Sequence, residues 1–231
     1  MGEYHDTLFP NEPQNYRVAR DNLLAAEMEL RSQIEEVAAK RRALPLGGAL
    51  KEDYVLTEGS HDLSIAGQAR QTKFSELFAQ GKNTLVVYSF MFAPNANPCP
   101  ACTSLIDGLD GMATHIRDRM NFAVFAKAPI NEFRAWGQTR GWRNLRLLST
   151  GQTTYNSDYN AETKDNSQTP VINVFRRTND GIFHSWASEM VFAPWPEGMH
   201  PRHADSIWPL WNVFDLTPDG RGDWFPRTTY D

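Results

Sequence analysis

The chain has 231 residues and is mildly acidic, with 23 Lys and Arg against 28 Asp and Glu and a formal net charge of -5. Hydrophobic residues make up 41% of it, which is enough to build the core of one ordinary globular domain without disulfide staples. Proteins that bind nucleic acid or an anionic membrane surface concentrate Lys and Arg on one face, so the charge balance argues against both partners.

The chain has no segment that predicts a membrane span or a secretory leader. Its longest apolar stretch, residues 85–94, is well short of the roughly 18 residues that a spanning helix needs. Residues 1–10 carry acidic side chains and His5 where a leader has Lys or Arg followed by an apolar run. We therefore expect a cytoplasmic protein.

Residues 1–50 are predicted to form an irregular arm, which contains Pro10 and Pro13, followed by one long amphipathic helix. From Asn15 to Arg42, apolar side chains recur every three or four residues between charged ones, and the helix is expected to end before Pro45. We expect the apolar stripe to pack on the protein's own domain. A homodimer through this helix is the alternative.

Residues 51–192 alternate between strand and helix patterns, as in an α/β domain. Short strands are predicted at 54–56 and 63–65, with a short helix at 72–80 that Thr72 caps. The run 85–92 is apolar with little alternation, which indicates a strand covered on both faces. The later elements are a helix through about residue 119, a strand at 121–126, a helix at 129–140, a strand at 145–148 and a β-hairpin of 171–175 with 182–186.

Residues 193–231 form a Trp-rich extension that is expected to pack on the preceding domain. The segment holds four of the seven Trp residues and many Pro residues. A short helix is predicted at 207–214, because apolar side chains recur there at helical spacing.

The only two cysteines of the chain, Cys99 and Cys102, form a CxxC motif between the buried strand and the next helix. In a reducing compartment such a pair indicates redox or metal chemistry before it indicates a structural bridge. With Cys99 at the N-cap and Pro100 as the first helical residue, free backbone N–H groups and the helix dipole favour the Cys99 thiolate. We predict that Cys99 attacks a disulfide and that Cys102 resolves the mixed disulfide.

Three segments, residues 88–104, 122–142 and 208–222, resemble the thioredoxin-like family of unknown function catalogued as DUF899. The similarity extends from the amphipathic helix through residue 222. Members of this family are usually described as predicted dithiol-disulfide oxidoreductases. The resemblance implies a thioredoxin-like α/β fold, a central mixed sheet flanked by helices, with an amino-terminal helix and a Trp-rich extension added to it.

The resemblance also implies a surface that contacts the substrate. In thioredoxin-like folds a Thr-Pro pair with its Pro in cis faces the CxxC motif, and Thr169-Pro170 stands directly before a predicted strand. Thr169 and Pro170, together with Pro100 and Ala101 between the cysteines, are therefore predicted to contact the substrate.

Thioredoxins carry a buried acidic residue in the strand before the motif, whereas this chain has Tyr88 and Ser89 there. The sequence therefore offers no obvious base for Cys102. It also contains no Gly-rich phosphate loop, so no organic cofactor is expected. The expected partners are a protein or small-molecule disulfide or thiol, and an unidentified electron donor that is itself a protein or a small thiol.

Three alternatives stay open at this point. Residues 74–90 resemble the opening of peroxiredoxins, but Ala96 stands where those thiol peroxidases require Thr three residues before the attacking cysteine. Cys99 and Cys102 with His200 and His203 could form a structural zinc site. A thioredoxin fold can also serve only for binding.

Overall fold

The computed structural model of the chain describes residues 2–65, 69–197 and 202–230. It divides into two compact units, Met1–Pro45 and Leu46–Asp231. The helices within the described residues are α1 (Gln14–Arg42), α2 (Pro100–Arg119), α3 (Ile130–Arg140), α4 (Tyr155–Asp158) and α5 (Leu210–Asp215). The strands are β1 (Val55–Glu58), β2 (Arg70–Lys73), β3 (Thr84–Phe90), β4 (Asn121–Ala126), β5 (Leu147–Ser149), β6 (Ile172–Thr178) and β7 (Gly181–Ala187).

The first unit is dominated by α1, and the predicted long helix is confirmed. Basic side chains fill its last turn, where they complement the negative end of the helix dipole. Arg17 is buried within this unit and pairs with Glu12 at 3.5 Å and with Asp21 at 3.3 Å. The apolar side chains that the helical period singles out are exposed; they include Val18, Leu23, Leu30, Ile34 and Val37. The homodimer through this helix stays a prediction.

The second unit is built on one mixed sheet of seven strands in the order β2-β1-β5-β4-β3-β6-β7. Strands β3, β4 and β5 are parallel, and α2 and α3 connect them. Strands β6 and β7 form an antiparallel hairpin beside β3. In the thioredoxin-like fold, two parallel strands are joined by the helix that carries the CxxC motif, and an antiparallel hairpin pairs with the first of these strands. Strands β3 and β4, helix α2 and the β6-β7 hairpin have this arrangement. The predicted fold class is confirmed.

The central strands β3 and β4 are covered on both faces, as the apolar run 85–92 predicts. Successive side chains of a strand point to opposite faces. Tyr88 and Phe90 therefore pack in the apolar cluster that α2 and α3 cover, whereas Leu85 and Val87 pack in a second cluster. The second cluster is covered by a short 3-10 helix, Phe74–Leu77, and by side chains around α4.

The predicted strand at 63–65 is wrong, because this segment forms a turn. The Asp62 carboxylate accepts hydrogen bonds from the backbone N–H of Ser64 at 2.9 Å and from its hydroxyl at 2.7 Å. An Asp side chain that bonds the chain two residues later is a typical turn device, and it competes with strand pairing.

The predicted helix at 72–80 is also wrong in its extent. Thr72 is not a helix cap but a buried residue of β2, opposite Leu56 of β1, and its hydroxyl donates to Glu58 Oε2 at 2.9 Å. The helical part is a single 3-10 turn whose start is held by Glu76, which accepts from the Lys73 backbone N–H at 2.9 Å. Tertiary pairing with β1 therefore overrides the local helical pattern.

The remaining elements follow the predicted order. Strand β4 covers the predicted residues, and α3 ends at Gly141, whose φ of 76° is the left-handed conformation that glycine favours. The predicted hairpin is β6-β7. In the extension, α5 lies near the predicted 207–214 segment, and Ala204 and Trp211 are buried. The domain boundary at residue 193 stays a prediction.

Among the described residues, none of the helices combines the length and the hydropathy required to cross a membrane.

Candidate active site

The CxxC motif lies where β3 leaves the centre of the sheet and α2 begins. Cys99 is the N-cap of α2, with extended backbone angles, and Pro100 is the first helical residue, as the sequence predicts. The Cys99 sulfur accepts a hydrogen bond from the backbone N–H of Cys102 at 3.5 Å. The half-buried Cys99 sulfur therefore occupies the position of a capping oxygen and faces the free N–H groups of the first helical turn.

The backbone of Cys99 is fixed on both sides. Its N–H donates to the Met91 carbonyl oxygen at 3.1 Å, which ties the start of α2 to the end of β3. Its carbonyl oxygen accepts from the Thr103 backbone N–H and from the Thr103 hydroxyl, each at 2.9 Å. The Trp136 indole Nε1 of α3 donates in turn to the Thr103 hydroxyl at 3.3 Å. The attacking position is therefore held by rigid elements rather than by a loop.

The surroundings of Cys99 favour its thiolate. The hydrogen bond from the Cys102 thiol contributes most, the backbone N–H groups of Cys102 and Ala101 add to it, and burial opposes them. Together they lower the pKa of Cys99 to about 6. At neutral pH this sulfur is therefore mostly ionised, whereas an ordinary cysteine with a pKa near about 8.5 is mostly a neutral thiol.

Cys102 has the opposite character. It is buried in α2, and burial together with its hydrogen bond to the Cys99 thiolate raises its pKa. Two groups act in the other direction and favour the Cys102 thiolate, so they lower its pKa: the Tyr88 hydroxyl and the Met91 backbone N–H. Tyr88 is itself buried in β3, and burial raises its pKa well above the ordinary value.

Tyr88 therefore lies in the strand where thioredoxins carry a buried acidic residue and where this sequence offers no obvious base for Cys102. Its hydroxyl is a neutral donor that stabilises a negative charge on Cys102 without carrying a charge of its own. The strand alternation contains the signal for this contact, because it places Tyr88 on the same face as Phe90, beneath α2. A Tyr within an apolar run is also typical of a core residue, so the sequence alone does not distinguish the two roles.

Replacing Tyr88 with Phe is expected to slow the step in which Cys102 attacks a mixed disulfide. The variant loses one hydrogen bond to a charged sulfur, so we expect the step to slow about tenfold. Rapid mixing, acid quenching and mass spectrometry measure the lifetime of the mixed disulfide. Tyr155→Phe is the matched control, because Tyr155 is equally buried but belongs to the cluster on the other face of the sheet. Equal lifetimes in Tyr88→Phe and wild type would contradict the role.

The structure brings two of the four predicted substrate-contacting residues together. Ala101 and Pro170 line one cavity beside the CxxC motif, and Pro100 adjoins it as the first residue of α2. Thr169 is held through its backbone N–H, which donates to the Ala161 carbonyl oxygen at 2.9 Å. The expectation of a cis bond before Pro170 is wrong, because the peptide bonds of the described residues are all trans.

The residues of the alternative hypotheses are only partly described. His200, one of the four predicted zinc ligands, lies outside the described residues. Within the described part of the chain, no group of three or more His, Cys, Asp and Glu side chains could hold a metal ion. Ala96 lies in the exposed loop before α2, where its backbone N–H donates to the Ala93 carbonyl oxygen at 3.2 Å.

The fold, with its CxxC motif at the start of α2, defines a protein of the thioredoxin-like class. The family model described as a bacterial protein of unknown function (DUF899) matches residues 7–230, and the chain belongs to this family. The resemblance seen in the sequence is therefore confirmed.

Several solved structures are similar to the chain at low identity. AhpC of Enterococcus faecalis is 9% identical with a TM-score of 0.48, and the match covers 78% of this chain and 98% of that one. The reduced 2-Cys peroxiredoxin of Plasmodium vivax is 13% identical with a TM-score of 0.45, covering 73% and 98%. Reduced Prx3 of Vibrio vulnificus in complex with H2O2 is 13% identical with a TM-score of 0.47, covering 72% and 94%. A comparison with curated protein sequences found no match.

Proposed function

We propose that the protein is a thiol–disulfide oxidoreductase in which Cys99 attacks and Cys102 resolves. The observation that carries the proposal is the contrast between the two sulfurs. Cys99 is half-buried at a helix N-terminus with its pKa lowered to about 6, whereas Cys102 is buried with its pKa raised. A low-pKa accessible sulfur beside a protected one is the arrangement that sequential thiol–disulfide exchange requires.

The exchange proceeds in two balanced steps. The Cys99 thiolate attacks one sulfur of the substrate disulfide, a bond forms between them, and the other sulfur leaves as a thiolate that takes a proton from water. The Cys102 thiol then loses its proton, and its sulfur attacks the Cys99 sulfur. The Cys99–Cys102 disulfide forms, the bond between Cys99 and the substrate breaks, and the second half of the substrate leaves as a thiolate that takes up the proton lost by Cys102. The protein is oxidised by two electrons, and the substrate is reduced by two.

The Cys102 proton is held at a defined place before the second step. In the reduced protein the Cys102 thiol donates to the Cys99 thiolate, and this bond is lost once Cys99 is bonded to the substrate. Cys102 then keeps the Tyr88 hydroxyl and the Met91 backbone N–H as donors, and both favour its thiolate. The first step therefore prepares the second, because it removes the acceptor that holds the Cys102 proton.

The reaction requires two partners. One is a disulfide, carried by a protein or a small molecule, and the other is a thiol donor that reduces the Cys99–Cys102 disulfide afterwards. We place this cycle in the cytoplasm, where thiol donors keep such pairs reduced. In the opposite direction the same chemistry oxidises a dithiol, and the redox potential of the pair decides between the two directions.

The first test is the rate at which each cysteine of the freshly reduced protein is alkylated as a function of pH, with mass spectrometry reporting which sulfur reacts. We expect the Cys99 rate to reach half of its maximum near pH 6, because the thiolate is the reactive form and the pKa of Cys99 is lowered to about 6. Cys102 should stay protected over the same range, because it is buried.

Two results would overturn the proposal. If both sulfurs titrate near about 8.5, like free cysteine, the domain is a binding protein with a redox fold. If both are inert until a chelator is added, the pair holds a metal ion. Fast consumption of hydrogen peroxide by the reduced protein would instead favour a peroxidase, although Ala96 supplies no hydroxyl to orient the peroxide.

A further inference from the structure

The carboxy-terminal extension and the thioredoxin-like core line a partly open cavity of about 170 Å³ beside the CxxC motif. On the core side the cavity is lined by Met91, Ala101 and Pro170. On the side of the extension, the largest lining side chains are aromatic: Trp208, Trp211 and Phe225. The cavity therefore exists only because the extension folds back over the start of α2.

The cavity adjoins the reacting sulfurs through two of its lining residues. Ala101 stands between the two cysteines. The Met91 carbonyl oxygen accepts a hydrogen bond from the Cys99 N–H at 3.1 Å. A group bound in this cavity is therefore next to the chemistry rather than remote from it.

The wall that the extension supplies is fixed to the core. Ala204 is buried in the same apolar cluster as Tyr88 and Cys102, and Trp208 packs against that cluster. Further along, Arg140 of α3 donates to the Thr228 carbonyl oxygen at 2.5 Å. The extension is thus anchored before and after the aromatic residues that line the cavity.

The chemistry of the lining selects an apolar ligand. Most of the lining is carbon. Its polar members are His203 and the pair of Arg202 and Asp205, in which Arg202 Nε donates a hydrogen bond to Asp205 Oδ2. An apolar cavity of comparable size, about 150 Å³, binds a benzene molecule. In the described part of the chain the indole Nε1 of Trp208 is buried and has no hydrogen-bond partner. A ligand that accepts this hydrogen bond would remove the cost of leaving it unmade.

We propose that this cavity binds an apolar group, an aromatic ring or a branched aliphatic chain, attached close to the sulfur of the disulfide substrate. The inference rests on the proposed function for the reaction and adds the substrate class. The apolar group is either part of a small organic disulfide or the side chain next to a cysteine in a peptide. In both cases its binding places the adjacent sulfur at Cys99.

The test compares dibenzyl disulfide with bis(2-hydroxyethyl) disulfide as oxidants of the reduced protein, relative to a free small thiol. For wild type, we expect the ratio of the benzyl rate to the hydroxyethyl rate to be about tenfold higher than the same ratio for the free thiol. One well-filled apolar pocket provides a preference of this size. Phe225→Ala should lose most of this preference. Trp195→Ala is the matched control, because Trp195 is an exposed aromatic residue of the same extension that does not line the cavity.

A second pair of substrates separates the two sources of the apolar group. Disulfide-linked peptides with Phe or with Gly beside the cysteine should differ in rate if the ligand is a peptide side chain. If only the small disulfides differ, the ligand is a small organic disulfide. Equal preference in wild type and in Phe225→Ala overturns the inference and leaves the proposed function standing.

If no disulfide reacts, the proposed function fails, and the cavity is then tested without it. Benzyl alcohol binding, followed by nuclear magnetic resonance, should be detected in wild type and in Trp195→Ala and should be lost in Phe225→Ala. Binding that is absent from wild type, or equal in all three proteins, overturns the proposed cavity ligand.

Discussion

Cys99→Ser is expected to abolish thiol–disulfide exchange, whereas Cys102→Ser is expected to stop the reaction at a stable mixed disulfide. Removing Cys99 removes the sulfur that is half-buried and has its pKa lowered to about 6. Cys102 cannot replace it, because it is buried and its pKa is raised. Without Cys102 the first step still occurs, but the chain has no other cysteine to displace the substrate.

The measurement is the mass of each variant after mixing with a small disulfide, together with the rate of thiol release. Wild type should return to its own mass less two hydrogens, Cys102→Ser should gain one half of the disulfide, and Cys99→Ser should show neither change. The double variant Cys99→Ser with Cys102→Ser is the control for reaction at other sites. Equal residual exchange in the two single variants would contradict the assigned roles.

Phe74→Ala is expected to lower the free energy of unfolding by about 3–5 kcal/mol, the usual cost of truncating a buried Phe. The Phe74 ring is fully buried, with its centroid 4.8 Å from that of Phe175 and 6.2 Å from that of Phe125. It closes the apolar cluster on the face of the sheet opposite to the cysteines. The cavity left by the ring cannot be filled, because its neighbours are themselves large aromatic side chains held by the sheet.

Denaturant unfolding measures the effect, with Phe192→Ala as the control. Phe192 is half-exposed, so its truncation should change the free energy of unfolding by no more than about 0.5 kcal/mol. The alkylation rate of Cys99 in the folded variant should match wild type, because the sheet separates Phe74 from the CxxC motif. A loss below about 1 kcal/mol would mean that this cluster is not a closed core.

The strongest local signals in the sequence predict the elements that carry the motif. The run 85–92 is apolar on both faces because β3 is covered on both faces. This pattern is the same whichever helix covers each face. Cys99 followed by Pro100 is an N-cap pattern that acts within one helical turn. For these reasons the strand, the helix and the position of the motif at their junction could be predicted without knowing the tertiary structure.

The errors arise where distant partners decide the local structure. Residues 72–80 carry a helical pattern, yet Thr72 pairs with Leu56 in β2 because the edge of the sheet is available to it. The cis bond expected before Pro170 was carried over from other thioredoxin-like folds, and nothing in the residues themselves requires it. Local sequence does not encode which strand edge, turn or isomer the assembled domain selects.

The sequence by itself determined that the chain carries a CxxC pair at a strand-to-helix junction, because this feature depends on residues that are neighbours along the chain. The thioredoxin-like fold followed from the family resemblance. The tertiary structure alone decided which groups surround the two sulfurs. Tyr88 and Met91 reach Cys102 across the sheet–helix interface, and Trp208 and Phe225 reach the cavity beside Ala101 from more than a hundred residues away. The protonation state of a sulfur and the shape of a binding cavity depend on contacts in space, and only the folded chain brings those residues together.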